Sequence, residues 1–271
     1  MSSPLTDETA AMDMEKHPVL LTVNSHDPSG GAGVVADVET ANSLGCHCLS
    51  AITALNVRDT RNLKDRQSTE TPLLIEQMRA ALEDSTVAAI KIGDLATVAQ
   101  AEAVHTILGE YSDIPVVLDP VLHHGADDGD VDEAVRVLLF PRATISILSI
   151  SHVQQLSTCG DSLGANMQEL LEFGCPQLLV TVAAQQQHKI INRLFSTRGV
   201  EREYMWDALS DQFHGAGSTL SAAVTAYLAH GFELPEALQQ GQQFTWQAMA
   251  QALRVGCGGL IPDRLFWCRK A

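Results

Sequence analysis

The sequence HGAGSTLSAA, residues 214–223, decides how the rest of the chain is interpreted. Its two glycines precede a run of small residues that favours a helix. The first turn of a helix has backbone N–H groups without internal acceptors, and the helix dipole adds partial positive charge there. Because glycine lets an anion approach the backbone closely, this turn predicts a phosphate site, with an ordinary tight turn as the alternative. The turn consists of Gly215, Ala216, Gly217 and Ser218.

Upstream of this turn, apolar runs typical of strands alternate with helical patterns. That order predicts an α/β fold with a mostly parallel central sheet and helices on both faces. Apolar and polar side chains alternate over residues 190–205, which predicts a small antiparallel hairpin at the sheet edge. The predicted strands are 19–23, 48–55, 87–92, 115–118, 144–149 and 177–182; the predicted helices are 30–44, 72–83, 97–110, 132–139, 162–173, 216–230 and 234–253; and residues 255–271 are predicted to be irregular.

Composition limits the class of protein and its partners. The chain has 271 residues, of which 45% are hydrophobic, and this suits one folded domain over residues 17–271 behind a flexible polar tail, residues 1–16. A net charge of −16 argues against nucleic acid and anionic membrane surfaces as partners. No apolar run reaches the roughly 18 residues that span a membrane. The six cysteines lack CxxC spacing, which argues against a zinc site and favours reduced thiols in the cytoplasm.

Candidate ligand-binding elements follow the predicted strands, because ligands bind at the carboxyl ends of the strands in such sheets. They are the glycine-rich loop at residues 25–33, Asp119 after the fourth strand, and the turn at residues 215–218. The first loop does not have the GxGxxG spacing of a dinucleotide fingerprint, and no acidic residue follows the second strand where such a site needs one. A loop that brings substrate close to the backbone is the favoured interpretation.

The sequence DPSGGAG at residues 27–33, followed by Ala36 and Asp37, closely resembles the N-terminal signature of hydroxymethylpyrimidine/phosphomethylpyrimidine kinases, which belong to the ribokinase-like superfamily. The resemblance covers roughly residues 18–249. It continues through 52–55, 91–93, 117–121, 192–195 and 214–217. It implies a ribokinase-like fold, a homodimer and a role in thiamine biosynthesis. The implied reaction transfers the γ-phosphoryl group of ATP, with Mg²⁺, to the hydroxymethyl group of a small pyrimidine and then to its monophosphate.

The resemblance also implies roles for individual residues. The turn at 215–218 would hold the transferring phosphoryl group, with Ser218 at the catalytic position. Asp119 would lie near magnesium, with a cap at the strand end as the alternative. Asp37 would line the pyrimidine site, with a solvated or capping aspartate as the alternative. The other implied substrate positions are Ser25, Asn56, Arg58, Asp94 and Val121, and the implied nucleotide positions are Ser149, His152 and Thr181.

Several of these positions depart from the family pattern near the phosphates. Relatives carry cysteine where this chain has Ser218, and the wider superfamily carries aspartate; a serine hydroxyl is a far weaker base than either unless a neighbour activates it. His214 is close in sequence, but a helix start need not aim it at Ser218. Ser149 and His152 replace an asparagine and a glutamate, which removes oxygen ligands suited to magnesium. His152 could serve another metal, or it could simply lie on the surface.

Other departures concern the two ligand pockets. Val182 begins a sequence, VAAQ, that replaces the family's Gly-Gly-His. Ser25 replaces a glycine, Arg58 a glutamine, and Asp94 a methionine, while Asn56 replaces an apolar residue. Because a buried charge needs a partner, Arg58 and Asp94 are predicted to pair across the pocket. Two alternatives to the family activity therefore stay open: a pseudokinase that binds a pyrimidine, a phosphate or a protein partner, and a kinase for a different small alcohol or vitamin.

Overall fold

Parallel strands form the middle of one nine-stranded sheet, whose order is β3-β2-β1-β4-β5-β6-β7-β8-β9. The computed structural model describes residues 17–122, 128–157 and 162–268, so the predicted tail at residues 1–16 lies outside the described residues. The strands are β1 Val19–His26, β2 His47–Arg58, β3 Leu63–Ser68, β4 Val87–Ile92, β5 Val116–Leu118, β6 Ile145–Ser149, β7 Gln177–Gln186, β8 Lys189–Ser196 and β9 Gly199–Asp207. The parallel pairs are β1–β2, β1–β4, β4–β5, β5–β6 and β6–β7, and the α/β prediction is confirmed.

Helices cover both faces of the sheet, as predicted. They are α1 Gly33–Ser43, α2 Thr71–Asp84, α3 Val98–Glu110, α4 Asp128–Ala134, α5 Ile150–Leu156, α6 Leu163–Glu172, α7 Ala216–Ala229 and α8 Leu234–Ala250. On one face, Leu74 of α2 and Val104 of α3 pack in a buried cluster with Ile90 of β4. On the other face, Val224 of α7 and Leu238 of α8 pack in a second cluster. Within the described residues, no helix is long and apolar enough to cross a membrane.

Both edges of the sheet are antiparallel. The predicted hairpin is confirmed as β8 and β9, which pair across Ser196 and Gly199. The opposite edge strand, β3, was not predicted, because its sequence LKDRQS lacks the apolar residues that identify a buried strand. Charged side chains on an edge strand discourage pairing with other chains. The short helix α5 was also missed, and a π-helical turn at Val135–Leu139 replaces the end of the predicted helix over 132–139.

Distant segments of the chain meet at the carboxyl ends of the parallel strands. The loop after β1, residues 27–33, lies beside the turn that begins α7, and Phe213 also pairs with Leu260 of the C-terminal segment. Residues 255–268 contain one short 3₁₀ turn, Phe266–Cys268, and are otherwise irregular, as predicted. The candidate site lies at these carboxyl ends of the strands.

Candidate active site

The turn before α7 has the backbone geometry of an anion site. Gly215, which precedes the helix, has φ +93°, a conformation that favours glycine. A Cβ at this position would stand 1.6 Å from the carbonyl oxygen of Gly31, so a side chain is excluded by contact as well as by conformation. The N–H of Thr219 makes the first helical bond, to Gly215 O at 2.9 Å. The three preceding N–H groups therefore lie at the open helix start, where an anion can accept them.

A histidine–aspartate pair joins this turn to the loop after β1. His214 Nε2 lies 2.6 Å from Asp27 Oδ2. Asp27 also accepts bonds from Ser29 N at 2.8 Å, Ser29 Oγ at 2.7 Å and Ala32 N at 3.1 Å. Burial raises the pKa of Asp27, but the bonds from His214 and Ser29 outweigh that effect and lower the pKa to about 2. His214 Nε2 is thus engaged by the Asp27 carboxylate.

A buried lysine lies beneath the turn at residues 215–218. Lys91 of β4 has no exposed side-chain surface; it donates to the Asp37 carboxylate and to Ser218 O, the latter at 3.4 Å. Its Nζ is 3.8 Å from Asp119 Oδ2. Lys91 therefore links three of the predicted site residues. The sequence analysis included Lys91 only within the motif at 91–93. A lysine inside the buried strand VAAIKI nevertheless indicates a buried ion pair, because lysine is rarely buried unless paired.

Asp37 is neither a solvated nor a capping residue. It is fully buried in α1 and accepts bonds from Thr22 Oγ1 at 2.6 Å and Asn24 Nδ2 at 2.9 Å, in addition to Lys91. Both carboxylate oxygens are thus bonded within the protein, whereas Asn56 Oδ1, described below, is not. These bonds fix Lys91 and the end of β1.

Asp119 lies at the end of β5 and is nearly buried, with 8% of its surface exposed. Ser221 Oγ of α7 donates to Asp119 Oδ2 at 2.6 Å. The backbone N–H of Asp119 donates to Ile92 O at 2.8 Å. The carboxylate thus packs against α7, and this contact replaces the capping alternative. Among residues 17–122, 128–157 and 162–268, no three His, Cys, Asp or Glu side chains cluster as a metal site.

Ser149 and His152 lie at the start of α5. Ser149 caps this helix by accepting from His152 N at 3.2 Å, and its hydroxyl lies 2.7 Å from Ser151 Oγ. Burial lowers the pKa of His152, and the negative charges of Asp119 and Asp132 oppose that shift in part. His152 is therefore a partly buried residue under the influence of Asp119, rather than a surface histidine.

The predicted pair of Arg58 and Asp94 is wrong. Asp94 Oδ1 is bound by Arg66 Nη2 at 2.5 Å, whereas Arg58 Nε lies 3.8 Å from Asp27 Oδ2. The reason is the unpredicted strand β3, whose register places Arg66 opposite Asn56 of β2. Arg58 faces an open groove of about 580 Å³ that it shares with Pro28, Ser29 and residues 255–257.

Ser25 and Asn56 form a polar pair at the ends of β1 and β2. Asn56 Nδ2 donates to Ser25 Oγ at 3.0 Å, and Ser25 is almost fully buried. The other amide atom, Asn56 Oδ1, is buried and accepts no hydrogen bond within the part of the chain that the structure describes. Such an acceptor is costly unless a ligand satisfies it. Val121, the last of the predicted substrate positions, is 40% exposed just beyond β5.

A cavity of about 390 Å³ adjoins the turn at residues 215–218. Thr181, a predicted nucleotide position, lines it together with Ala216 and Gly217 of the turn. The sequence did not predict most of the rest of the lining, because many of these residues come from the hairpin and from α8, which carry no phosphate motif. The side chains it did not name include Trp206, Gln242, Trp246 and Met249, and Asn192 entered only as part of the motif at 192–195.

Hydrogen bonds fix the polar end of this cavity, hereafter the turn-adjacent cavity. Asn192 Nδ2 and Trp206 Nε1 both donate to Gln242 Oε1, at 2.8 and 3.2 Å. Asn192 Oδ1 accepts from Val182 N at 2.8 Å. Val182 itself has φ +53°, which is strained for a β-branched residue, and it stands where the resemblance expects a glycine.

Comparison with known proteins decides the family. The family model described as phosphomethylpyrimidine kinase matches residues 27–262. The chain belongs to the phosphomethylpyrimidine kinase family. This finding confirms the resemblance that the sequence motifs indicated.

Individual proteins similar to this phosphomethylpyrimidine kinase family member support the same assignment. Hydroxymethylpyrimidine/phosphomethylpyrimidine kinase from Streptomyces coelicolor is 29% identical over 260 residues, which cover 92% of this chain and 95% of the relative. The solved ADP complex of pyridoxal kinase from Bacillus subtilis is 26% identical, with a TM-score of 0.84 over 94% of this chain and 100% of that one. A structure described as the last common ancestor of the HMPPK and PLK/HMPPK vitamin kinases is 30% identical, with a TM-score of 0.67 over 85% of this chain and 99% of that one. The ribokinase-like fold is thereby confirmed.

Proposed function

We propose that this protein transfers the γ-phosphoryl group of ATP to the hydroxymethyl group of hydroxymethylpyrimidine, and then to the resulting monophosphate, as a step of thiamine biosynthesis. The observation that carries the proposal is the position of the turn at residues 215–218. Ala216 and Gly217 of this turn line the turn-adjacent cavity, and the adjoining residues His214 and Gly215 contact the loop at 27–33. A phosphoryl group bound there would have nucleotide on one side and acceptor on the other, which is the arrangement that phosphoryl transfer requires.

The turn-adjacent cavity is the proposed nucleotide site. Trp206 and Trp246 supply aromatic surface for a planar base, and Thr181 lies on the path to the turn. The Bacillus subtilis relative was solved with ADP bound, which supports nucleotide use in this fold. The backbone N–H groups of Ala216 and Gly217, at the end of the cavity, would receive the phosphates.

Asp119 is the residue that would hold Mg²⁺. The fit is chemical: it is a hard carboxylate at the phosphate turn, with one oxygen already fixed by Ser221. The described residues offer no three-ligand cage, and Mg²⁺ commonly takes only one or two carboxylates together with phosphate oxygens and water. When bound, Mg²⁺ supplies positive charge that neutralises the phosphates. His152 lies near enough for the charge of Asp119 to affect its pKa, and we include it with Ser149 at the edge of the phosphate site.

Ser218 acts chiefly through its backbone in this proposal. Its carbonyl is tied to Lys91, and its N–H belongs to the open helix start. The chain places a hydroxyl where relatives place a stronger base, so positioning and charge would supply most of the acceleration. We therefore expect turnover that is slower than that of a cysteine-containing relative.

The Ser25–Asn56 pair is the proposed contact for the substrate ring. The buried Asn56 Oδ1 needs a donor, and the amino group of an aminopyrimidine is one. Arg58, Asp94 and Val121 would border this pocket, and Asp37 would shape it through Asn24 without touching the ligand. Pyridoxal is the second candidate substrate, because the pyridoxal kinase of Bacillus subtilis superposes with a TM-score of 0.84. The relatives described above carry the names of kinases, and none of them favours the pseudokinase alternative.

We further propose a homodimer in the cytoplasm, with residues 17–271 as one kinase domain. Leu55, Val57 and Leu63 expose between 44% and 56% of their surface on β2 and β3, and a second copy that packs on these side chains, without adding a strand to β3, would cover them. Sedimentation equilibrium tests it: the wild-type chain should have twice the monomer mass, and the Val57→Lys variant should be monomeric. A wild-type monomer at all concentrations would contradict the dimer.

Calorimetric titration separates the functional proposals. Binding of both Mg-ATP and hydroxymethylpyrimidine is expected, with pyridoxal as the competing ligand. Asp119→Asn should weaken Mg-ATP and leave pyrimidine binding intact. Binding of pyrimidine without nucleotide would instead indicate a non-catalytic carrier or sensor.

A further inference from the structure

Arg264 is the largest fully buried side chain among the described residues, with 1% of its surface exposed. It comes from the irregular C-terminal segment, far in sequence from every motif considered above. Its guanidinium nevertheless reaches both glycine-rich elements of the site. Nη1 donates to Gly30 O at 3.1 Å, and Nη2 donates to Gly31 O at 2.5 Å.

The same guanidinium also contacts the first turn of α7. Its Nε donates to Thr219 Oγ1 at 3.0 Å, and Thr219 Oγ1 in turn donates to Gly215 O at 2.8 Å. Gly215 lies against the carbonyl of Gly31, and a Cβ on Gly215 would stand 3.0 Å from Arg264 Nη2. One planar group thus bonds to the loop after β1 directly and to the phosphate turn through one hydroxyl.

The chemistry of this contact is specific to arginine. A guanidinium offers five donors in a fixed fork, whereas a lysine ammonium offers a compact charge without that geometry. Burial lowers the pKa of Arg264, and the bond to Glu39 Oε2 at 2.9 Å opposes that shift. Burying a charged group is costly, and apolar side chains fill interiors more cheaply. The position is therefore better explained by the geometry it imposes than by stability alone.

We propose that Arg264 is a positioning residue for phosphoryl transfer, which fixes the separation between the loop at 27–33 and the turn at 215–218. This inference rests on the proposed function, since those two elements hold the acceptor and the phosphoryl group. Arg264 touches neither ligand in this account. It acts by keeping the reacting groups aligned, and a displacement of about 1 Å between such groups can cost about 100-fold in rate.

The test compares Arg264→Ala and Arg264→Lys with Trp267→Phe, a control from the same segment whose indole donates to Ser43 and is largely exposed. Arg264→Ala should lower kcat by about 100-fold with KM values changed by less than about threefold. Millimolar guanidinium should restore part of that kcat, and equimolar urea should not. The kcat of Arg264→Lys should lie between those of Arg264→Ala and the wild type, and the kcat of Trp267→Phe should match the wild type. Unchanged kcat in a folded variant, or equal restoration by urea, would overturn the proposal.

A second readout does not depend on turnover. The ring protons of His214, assigned by comparison with His214→Gln, report the bond that joins the same two elements. They should shift in Arg264→Lys and stay in place in Trp267→Phe. An unshifted His214 signal in Arg264→Lys overturns the positioning role even if the wild type proves inactive. Wild-type inactivity with a shifted signal would contradict the proposed function and leave the positioning of the two elements supported. If Arg264→Ala does not fold, Arg264→Lys alone decides both readouts.

Discussion

His214 Nε2 and Asp27 Oδ2 lie 2.6 Å apart, and their bond connects the loop after the first strand to the start of α7. The two residues are separated by most of the sequence, yet they determine how the two glycine-rich elements face one another. Gly31 is part of the same contact, because a Cβ there would stand 2.1 Å from His214 Cδ2. The site is therefore built by pairing two loops, in addition to the bonds that Asp27 accepts within its own loop.

Acid should weaken the fold through Asp27. Its folded pKa of about 2 is below the usual value of 3.8, so the carboxylate stabilises the fold above about pH 4, and this contribution is lost as pH falls toward 2. The difference corresponds to about 2 kcal/mol. Asp27→Asn should remove that part of the pH dependence in urea unfolding between pH 4 and 2. An identical pH dependence in wild type and variant would contradict the assignment.

Removing the buried charge of Lys91 should strongly destabilise the protein. Lys91→Met leaves the fully buried Asp37 carboxylate without its cation, which typically costs about 3–5 kcal/mol. Adding Asp37→Leu should recover part of that loss. The matched control is Lys189→Met, which breaks an exposed pair with Asp207 and should change the free energy of unfolding far less. A Lys91→Met variant as stable as the control would refute the pairing.

Replacing Val182 with glycine should stabilise the fold. The residue has φ +53°, which costs a β-branched side chain about 1–3 kcal/mol, and glycine loses about 1 kcal/mol of this gain through chain entropy. We expect a net gain of about 1 kcal/mol in thermal or urea unfolding. Val200→Gly is the control, because that valine is similarly exposed on β9 and has no positive φ. Its stability should fall, and a fall in both variants would argue against strain at Val182.

The amide of Asn56 should contribute to substrate binding rather than to stability. Asn56→Leu removes a buried acceptor that lacks a protein partner, but it also removes the bond to Ser25 Oγ. The two effects oppose each other, so the free energy of unfolding should change little. Calorimetric binding of hydroxymethylpyrimidine should weaken by about 10-fold, which corresponds to about 1.4 kcal/mol. Unchanged pyrimidine affinity in this variant would place the ring elsewhere.

The sequence predicted the parts of this molecule whose information is local. Apolar runs identified the parallel strands, because a strand buried on both faces must be apolar along its length. The turn at 215–218 was predicted because glycines before a helix let an anion approach its open backbone N–H groups. Gly215 also has a packing role that the sequence did not show, because a Cβ at this position would stand 1.6 Å from Gly31 O.

What the sequence did not predict depends on contacts between distant segments. The strand β3 is hydrophilic, so no apolar period marked it, and without it Arg66 could not be matched to Asp94. Arg264 lies in a glycine-rich segment without regular structure, so no periodic pattern predicts the direction of its side chain. The turn-adjacent cavity combines a hairpin with α8, and only the folded sheet brings them together.

The central claim is tested most directly by measuring phosphoryl transfer from ATP to hydroxymethylpyrimidine, detected as phosphorylated pyrimidine by ³¹P NMR. Ser218→Cys alone, and then with Ser149→Asn and His152→Glu, provides the comparison, because a thiolate is a far better base than a hydroxyl. We predict slow turnover by the wild type that depends on Asp119, and faster turnover by the substituted proteins. No phosphorylated product from either the wild type or the triple variant, with both ligands bound, would contradict the account.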